Sequence, residues 1–315
     1  MKSTTTTQIA PGAQAPSLGA SHAPEVRTLD ADTLAHLQTW IGKTDTRSDA
    51  VTAAPVAALS ATLDRDDAPP DPGTEIPALW HWLYFLPQPR RSEIGSDGHA
   101  RRGGFLPPVP LARRMWAGGR LTWQAGNPLR VGDAIRRDSV IDTIKHKHGR
   151  SGDLLFVVVK HEIHNARGLA LTEDHDIVYR ANPQPGDAAP PPQPAGKQAA
   201  WSETVTPDDV LLFRYSALTF NGHRIHYDRK YAVEVEGYPG LIVHGPLIAT
   251  LLVNLLRSNM PGARVLKFEF RAVRPVFDLW PFKLHGRPSE DGKTIQLWTE
   301  DHEGWLTMQA VATLA

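Results

Sequence analysis

Ser216 to Leu247 reads SALTFNGHRIHYDRKYAVEVEGYPGLIVHGPL, and this stretch decides the expected fold and the expected site. It runs into LIATLLVNLL (247–256), which is apolar on nearly every side and predicts a helix buried in a sheet. Pro246 suits the first turn of such a helix, and Gly245 lets a ligand approach the backbone. The free N–H groups and the helix dipole there would stabilise an oxygen that gains negative charge.

The polar segment before this helix carries the candidate base. Asn221 and His226 lie five residues apart between two apolar runs, and a short helix is expected at about 228–236. A neutral histidine can accept a proton from water at physiological pH, and an amide can fix the direction of that water. We therefore predict that His226 activates a water, that Asn221 orients it, and that the Gly245 N–H binds an oxyanion.

At these residues the chain resembles a known family. The run TFNGHRIH (219–226), followed by His244 and Gly245, resembles the hydratase motif of MaoC-like, hot-dog-fold enoyl-CoA hydratases. His226 matches the histidine of that motif. The run departs from the motif at three positions: Asn221 stands for the catalytic aspartate, His223 for the asparagine and Arg224 for the proline.

The pattern that includes these three differences, FNxHRIHYD with GYPGLIVHGPL, resembles the sequences of a narrower group of enzymes. That group comprises the 3-methylfumaryl-CoA and itaconyl-CoA hydratases and the mitochondrial type 2 hydroxyacyl-thioester dehydratases. WHWLYFLP (80–87) and RMWAGGRLTW (114–123) resemble the same group, so the likeness runs from about residue 28 to the end. It implies hydration of a short branched dicarboxylic enoyl-CoA, with coenzyme A as part of the substrate and no separate cofactor.

Hydrophobic patterning divides the chain into two similar halves. Strands are predicted at 120–124, 134–146, 153–165 and 169–180, and again at 264–272, 279–286, 294–301 and 305–314. Helices are expected at 31–41 and 49–63, and LWHWLYFL (79–86) reads as a buried aromatic strand. Each half thus offers one long buried helix and a meander of strands, which with the resemblance predicts an α+β double hot-dog.

The expected domain boundaries follow from composition. Composition predicts a disordered tail at 1–27 and a Pro-rich linker at 181–200. Between them, 28–180 is predicted to form a non-catalytic half that binds substrate or coenzyme A, and 201–315 is predicted to form the catalytic half. Only the second half carries the histidine motif. One active site per chain is therefore predicted, at the seam between the halves.

Composition excludes several classes of protein. The 34 basic and 34 acidic residues cancel, which indicates no nucleic-acid or anionic-membrane partner. The absence of cysteine excludes thiol catalysis and disulfides, and no apolar run is long enough to span a bilayer. A cytoplasmic enzyme is expected, which could form a homodimer and could receive its acyl chain from coenzyme A or from acyl-carrier protein.

Further basic side chains are candidates for substrate contacts. Arg90, Arg91, Arg101 and Arg102 could hold the phosphates of coenzyme A, or only belong to a surface loop. His223, Arg224, His244, Arg271 and Arg274 are candidates for substrate binding, the arginines for a free carboxylate; ion pairs for the arginines and a structural helix cap for His244 are the alternatives. Histidines 146, 148, 161 and 164 lack a completing carboxylate, so no metal is expected.

Asn221 leaves open how the proton is carried. Either His226 serves both steps through one water, or a carboxylate such as Asp228 or Glu234 takes part. The rival functions are a 3-hydroxyacyl dehydratase acting on acyl-carrier protein, a thioesterase, and a non-catalytic binder of acyl thioesters. Retention of His226 with His244-Gly245-Pro246 argues against the binder, which has no need of a base.

Overall fold

The computed structural model describes residues 26–149, 152–182, 184 and 191–315. The helices are α1 (Ala31–Gln38), α2 (Ala53–Thr62), α3 (Asp209–Leu218), α4 (Arg229–Glu234) and α5 (Gly245–Asn259), with 3-10 helices at Trp80–Leu83, Arg91–Glu93 and Arg224–His226. The strands are β1 (Thr44–Ala50), β2 (Arg113–Trp123), β3 (Ala134–Gly149), β4 (Gly152–Asn165), β5 (Gly168–Arg180), β6 (Trp201–Val205), β7 (Val265–Ala272), β8 (Phe282–Pro288), β9 (Thr294–Glu300) and β10 (Leu306–Leu314).

All ten strands form one antiparallel sheet in the order β1-β3-β4-β5-β2-β7-β10-β9-β8-β6. Five strands come from each half, and β2 joins β7 at the seam. Gly118 allows this close approach, because a Cβ there would lie 2.4 Å from the Phe270 carbonyl oxygen. The predicted sheet that continues across both halves is confirmed.

Helix α5 fills the core of the second half, as its apolar sequence predicts. Every residue from 247 to 256 is buried, including Thr250 and Asn254, and the helix packs against β6, β8, β9 and β10. The Thr250 hydroxyl donates to the Pro246 carbonyl at 2.8 Å, which satisfies its polar atom inside the helix. A helix buried on all sides is held firmly, so its N-terminus is a rigid platform.

The first half departs from the prediction in two ways. Among its described residues there is no comparably long helix, because the stretch predicted at 49–63 divides into the end of β1 and the ten-residue helix α2, which packs against α3. The predicted aromatic strand at 79–86 is also wrong. Trp80–Leu83 is a 3-10 helix entered through Leu79 at φ 71°, and a left-handed residue cannot continue a strand.

The inner face of the first five strands carries a polar band. Glu173 and His161 are buried there between two separate apolar clusters. Glu173 accepts hydrogen bonds from the His81 ring at 3.1 Å and from the Trp82 indole at 3.0 Å. Burial alone would raise the pKa of Glu173, but the bond and charge of His81 outweigh it and lower that pKa to about 2.

The predicted tail at 1–27 lies outside the described residues except for its last two, and much of the first part of the predicted linker at 181–200 lies outside them too. The domain boundaries therefore stay predictions. In the described part of the chain, no helix has the length and apolar character that crossing a bilayer would require.

Candidate active site

His226 lies at the end of the 3-10 helix Arg224–His226, and its side chain is buried. Its ring Nδ1 is 2.7 Å from the Ile242 carbonyl oxygen. A carbonyl only accepts hydrogen bonds, so Nδ1 carries the proton and Nε2 keeps a free lone pair. The fold therefore fixes the tautomer that a base needs.

Burial also fixes the charge of His226. It lowers the pKa of the ring to about 4, against a smaller opposite effect of the bond to the Ile242 carbonyl. The charge of His99 lowers the pKa further. His226 is thus neutral at physiological pH and able to accept a proton from water.

The ring of His244 stacks on His226, with centroids 3.8 Å apart and planes 18° from parallel. His244 Nε2 is 2.8 Å from the Ser216 hydroxyl oxygen, and its Nδ1 is buried without a hydrogen-bond partner among the described residues. His244 is the N-cap residue of α5 by position, yet its side chain makes no capping bond. His244 thus occupies the cap position that the sequence analysis considers, but its ring packs against the base instead of capping the helix.

The N-terminus of α5 presents Gly245 at the seam of the sheet. First-turn N–H groups have no acceptor within their own helix, and Pro246 has no N–H at all, so Gly245 offers a free donor. A Cβ on Gly245 would lie 4.0 Å from the carbonyl oxygen of Trp116 on β2. Gly245 thus lies next to β2, a strand of the first half of the chain.

Asn221 lies in the turn between α3 and the 3-10 helix of His226. Its Oδ1 accepts a hydrogen bond from the His223 backbone N–H at 3.0 Å. This bond assigns the oxygen of the amide to the turn, which leaves the two N–H donors of Asn221 for another partner. An amide held in this way can orient a water, as the sequence predicts, but it cannot take up a proton.

A hairpin from the first half packs against this turn. Ile94 pairs with Ala100 across it, and the Asp97 carbonyl accepts from the Arg224 backbone N–H at 2.9 Å. The rings of His99 and His223 lie 4.0 Å apart, and that of His223 lies 5.5 Å from His226. Burial lowers the pKa of His223 to about 2, so this ring too is neutral.

Asp97, His99 and His223 place their ligand-type atoms within 4.8 Å of one another. This trio was missed in the sequence, because Asp97 and His99 are far from His223 along the chain and follow no metal-binding spacing. His146 and His148, for which the sequence predicts no metal, contact Asp153 at 3.0 and 2.8 Å.

Several predicted substrate contacts are already engaged inside the protein. Arg224 forms an ion pair with Asp228 at 2.7 Å, donates to the Ser96 carbonyl at 3.0 Å and lies over the Tyr231 ring. Asp228 also caps α4 through the Tyr231 N–H, and Glu234 is exposed beside Lys230. Asp228 is thus engaged in structural contacts, and Glu234 lies on the surface.

The remaining arginines occupy different places. Arg102 donates to the carbonyl oxygens of Val109, Leu111 and Ala112, so its guanidinium holds a loop. Arg90, Arg91 and Arg101 are exposed on that loop. Arg271 is exposed and alternates with buried Phe268 and Phe270, which puts it on the side of β7 away from the core, and Arg274 follows β7 where its backbone N–H donates to Thr307.

A buried neutral histidine beside a free helix N-terminus, at the seam of a double hot-dog, defines the hydratase and dehydratase class of acyl-thioester enzymes. The model of one family, Hydroxyacyl-thioester dehydratase type 2, matches residues 79–278. The chain belongs to that family and is an enzyme of its hydro-lyase class.

Comparison with individual proteins supports this family assignment. The chain is 46% identical to the mesaconyl-C(4)-CoA hydratase of Chloroflexus aurantiacus over 87% of this chain and 96% of that protein. It is 28% identical to the mitochondrial hydroxyacyl-thioester dehydratase type 2 of Schizosaccharomyces pombe over 67% and 77% of the two chains. A MaoC-like dehydratase structure from Phytophthora capsici is 13% identical with a TM-score of 0.60, covers 90% and 98% of the two chains, and shows the shared fold.

Proposed function

We propose that this enzyme reversibly hydrates a short branched dicarboxylic enoyl-CoA, with 3-methylfumaryl-CoA (mesaconyl-C4-CoA) or itaconyl-CoA as the candidate substrate. The observation that carries the proposal is the fixed tautomer of His226, whose Nε2 lone pair is free beside the N-terminus of α5. The similarity to a mesaconyl-C(4)-CoA hydratase supports the choice of acyl group. Coenzyme A enters as part of the substrate, and no separate cofactor is proposed.

In the hydration direction the thioester oxygen accepts the Gly245 N–H. This bond stabilises the negative charge that moves onto the oxygen as a carbon–oxygen bond forms at the β-carbon. His226 Nε2 accepts one proton of the attacking water, whose direction the Asn221 amide fixes, while the oxygen becomes the β-hydroxyl. The proton on His226 is then delivered to the α-carbon as the carbonyl re-forms, so one water is added across the double bond.

The same groups serve the reverse reaction, in which a 3-hydroxyacyl thioester loses water. His226 would then remove the α-proton and return it to the departing hydroxide. Because Asp228 and Glu234 are engaged elsewhere or exposed, His226 is proposed to carry both proton transfers alone. The exposed arginines Arg90, Arg91 and Arg101 remain the proposed contacts of the coenzyme A phosphates.

The test follows the enoyl-thioester absorbance with crotonyl-CoA, 3-methylfumaryl-CoA and itaconyl-CoA. Wild-type enzyme should bleach the signal without releasing thiol, and His226→Ala should lower kcat by about 100-fold or more, the usual contribution of a general base. Exposed His302, which stacks on Trp280, supplies the control variant His302→Ala with unchanged kcat. Release of free thiol would instead show a thioesterase, and an unchanged signal with every substrate would show a binder.

A further inference from the structure

A cavity of about 310 Å³ opens beside the candidate active site, on the first-half side. Its wall includes Asp97 and His99 from the hairpin, together with Arg101, Arg102 and Arg114. Three guanidinium groups thus face one carboxylate, so the cavity has an excess of positive charge. An anion is the ligand that such a lining favours.

The three arginines are not equally available. Arg102 is committed to loop carbonyls, and Arg101 is exposed. Arg114 is half-buried on β2, and no carboxylate among the described residues forms an ion pair with it. Arg114 thus carries a partly buried positive charge near the Tyr179 hydroxyl and has no acidic partner there, so it is available to an anionic ligand.

The strand places Arg114 on the side of the reacting groups. Arg114 and Trp116 stand two residues apart on β2 and pair with the buried residues Tyr179 and Ile177 of β5, so both project to the inner face. The carbonyl of Trp116 is the group next to Gly245. Arg114 thus lies along the same strand that borders the candidate oxyanion donor.

The charge of Arg114 acts on the histidines of the hairpin contact. Burial is the main cause of the low pKa values of His223 and His99, and the positive charge of Arg114 lowers both further. His223 in turn contacts His226 edge to face. Going outward from the base, the order is His226, His223, His99 and then the cavity with Arg114.

A metal ion is the competing occupant, because Asp97, His99 and His223 converge. Asp97 is, however, already bonded to the backbone N–H of His99 at 3.0 Å and near its ring Nδ1 at 3.2 Å. The arginines on the same wall would also repel a cation. The charge balance favours an anion over a cation.

We infer that this cavity is the specificity pocket for the free carboxylate of a dicarboxylic acyl thioester, and that Arg114 is the residue that binds it. This inference rests on the proposed function. In a 3-methylfumaryl thioester the carboxylate is attached to the carbon that receives water, so its partner must lie within a side chain or two of His226. Two rings, His223 and His99, lie between His226 and the cavity that Arg114 lines, whereas Arg224 is paired with Asp228 and Arg271 points away from the core.

The test compares Arg114→Gln with wild type on 3-methylfumaryl-CoA and on crotonyl-CoA, which lacks the carboxylate. Losing a hydrogen-bonded charge pair should lower kcat/KM for the dicarboxylic substrate by about 10- to 100-fold. The value for crotonyl-CoA should change less than about three-fold, and Arg114→Lys should restore part of the loss. Arg136→Gln, an exposed arginine paired with Asp138, is the matched control and should change neither value.

A binding experiment separates this inference from the proposed function. Calorimetry with the saturated thioesters succinyl-CoA and butyryl-CoA needs no turnover, and wild type should prefer succinyl-CoA by about 10-fold or more. Arg114→Gln should abolish that preference. If wild type hydrates no enoyl thioester but shows this preference, the proposed function fails and the pocket stands.

Three outcomes would overturn the inference. Equal losses on both substrates in Arg114→Gln would show a structural role for the arginine. A selective loss in Arg271→Gln, with Arg114→Gln unchanged, would move the carboxylate site to β7. Binding of ZnCl2 that His99→Ala abolishes, with no preference for succinyl-CoA, would make the cavity a metal site.

Discussion

Asn221 supplies an amide where the resembled motif has an acid, and its hydrogen bonds explain how the site tolerates this change. Oδ1 accepts from the His223 N–H, a bond that an aspartate would also accept. The difference between the two side chains is therefore confined to the remaining atom, which donates in asparagine and accepts in aspartate. The proposed role of Asn221 is therefore to orient water, which would leave the proton chemistry to His226.

Asn221→Asp tests this division of roles. The variant should fold as wild type, since the bond to His223 is kept, but kcat should fall by about 10-fold or more because the donor to water is lost. Thermal unfolding checks the first expectation and the enoyl-absorbance assay the second. A kcat that rises in the variant would show that a carboxylate works here as an acid or base.

The pKa of His226 predicts the acid limb of the activity. Because the neutral ring is the active form and burial lowers its pKa to about 4, kcat/KM should stay level as pH falls through 6.5 and decline only towards about 4. A pH–rate profile from 4 to 8 measures this, with recovery at pH 7 after each exposure as the control for unfolding. An acid limb centred near 6.5 would mean that His226 is solvated in the working enzyme.

At the scale of elements, hydrophobic alternation predicted the interior strands and failed at the edges. Eight of the nine strands predicted from the sequence exist, the aromatic strand at 79–86 does not, and β1 and β6 were not predicted. TDTRSDA in β1 is largely exposed, and each of these strands pairs on one side only. Polar edge strands protect a sheet from further pairing, and they carry no core-facing period to detect.

The candidate site could likewise be predicted only in part from the sequence. The motif around His226 identified the second-half residues, because their chemistry is concentrated in one short stretch. Asp97, His99 and Arg114 were missed because only the tertiary fold brings the hairpin and β2 to that stretch. Local spacing carries no information about contacts made across the seam.

Two glycines of the 94–104 loop allow the hairpin contact to be tested. Gly98 and Gly103 have φ values of +90° and +93°, so alanine at either position meets a similar backbone strain of about 1–2 kcal/mol. A Cβ on Gly98 would also lie 1.8 Å from the Gly222 carbonyl oxygen, whereas one on Gly103 would lie 3.6 Å from Pro108. Gly98→Ala should therefore displace the hairpin from the turn of Asn221.

The expected readout for the hairpin is activity as well as stability. Gly98→Ala should lower kcat/KM by about 10-fold or more, since His99 would lose its place beside His223, while Gly103→Ala should lower only the thermal midpoint. Steady-state kinetics and thermal unfolding of both variants measure the effects on activity and on stability separately. Equal activity in the two variants would show that the hairpin does not complete the site.

At the scale of the whole molecule, the two halves have cores of different composition. The second half builds its core on the apolar helix α5, whereas the first half, whose helices α1 and α2 are short, buries the polar band of Glu173 and His161. The band is built on a paired carboxylate and histidines that burial keeps uncharged. The stability of such a core depends on the carboxylate staying ionised and on these histidines staying neutral.

Acid should therefore destabilise the enzyme well before its carboxylates titrate. Burial lowers the pKa of His161 to about 4 and of His175 to about 3, and Arg137 lowers both further while Glu173 opposes the shift. The unfolded chain takes up protons as pH falls below about 6.5, but the folded chain cannot until its lowered pKa values are reached. The free energy of unfolding should thus fall by about 1–2 kcal/mol per buried histidine between pH 7.5 and 5.

Urea unfolding at pH 7.5 and pH 5 measures the fall in the free energy of unfolding. One variant tests whether a histidine of the first half causes part of it. His175→Phe keeps a ring against Trp116, whose centroid is 4.0 Å away, but removes a titrating group, so its pH-dependent loss should be smaller than that of wild type. His302→Phe, at an exposed ring, should leave the loss unchanged. If His175→Phe and wild type lose the same stability, the acid sensitivity lies outside the polar band, and the first half is held by its apolar clusters alone.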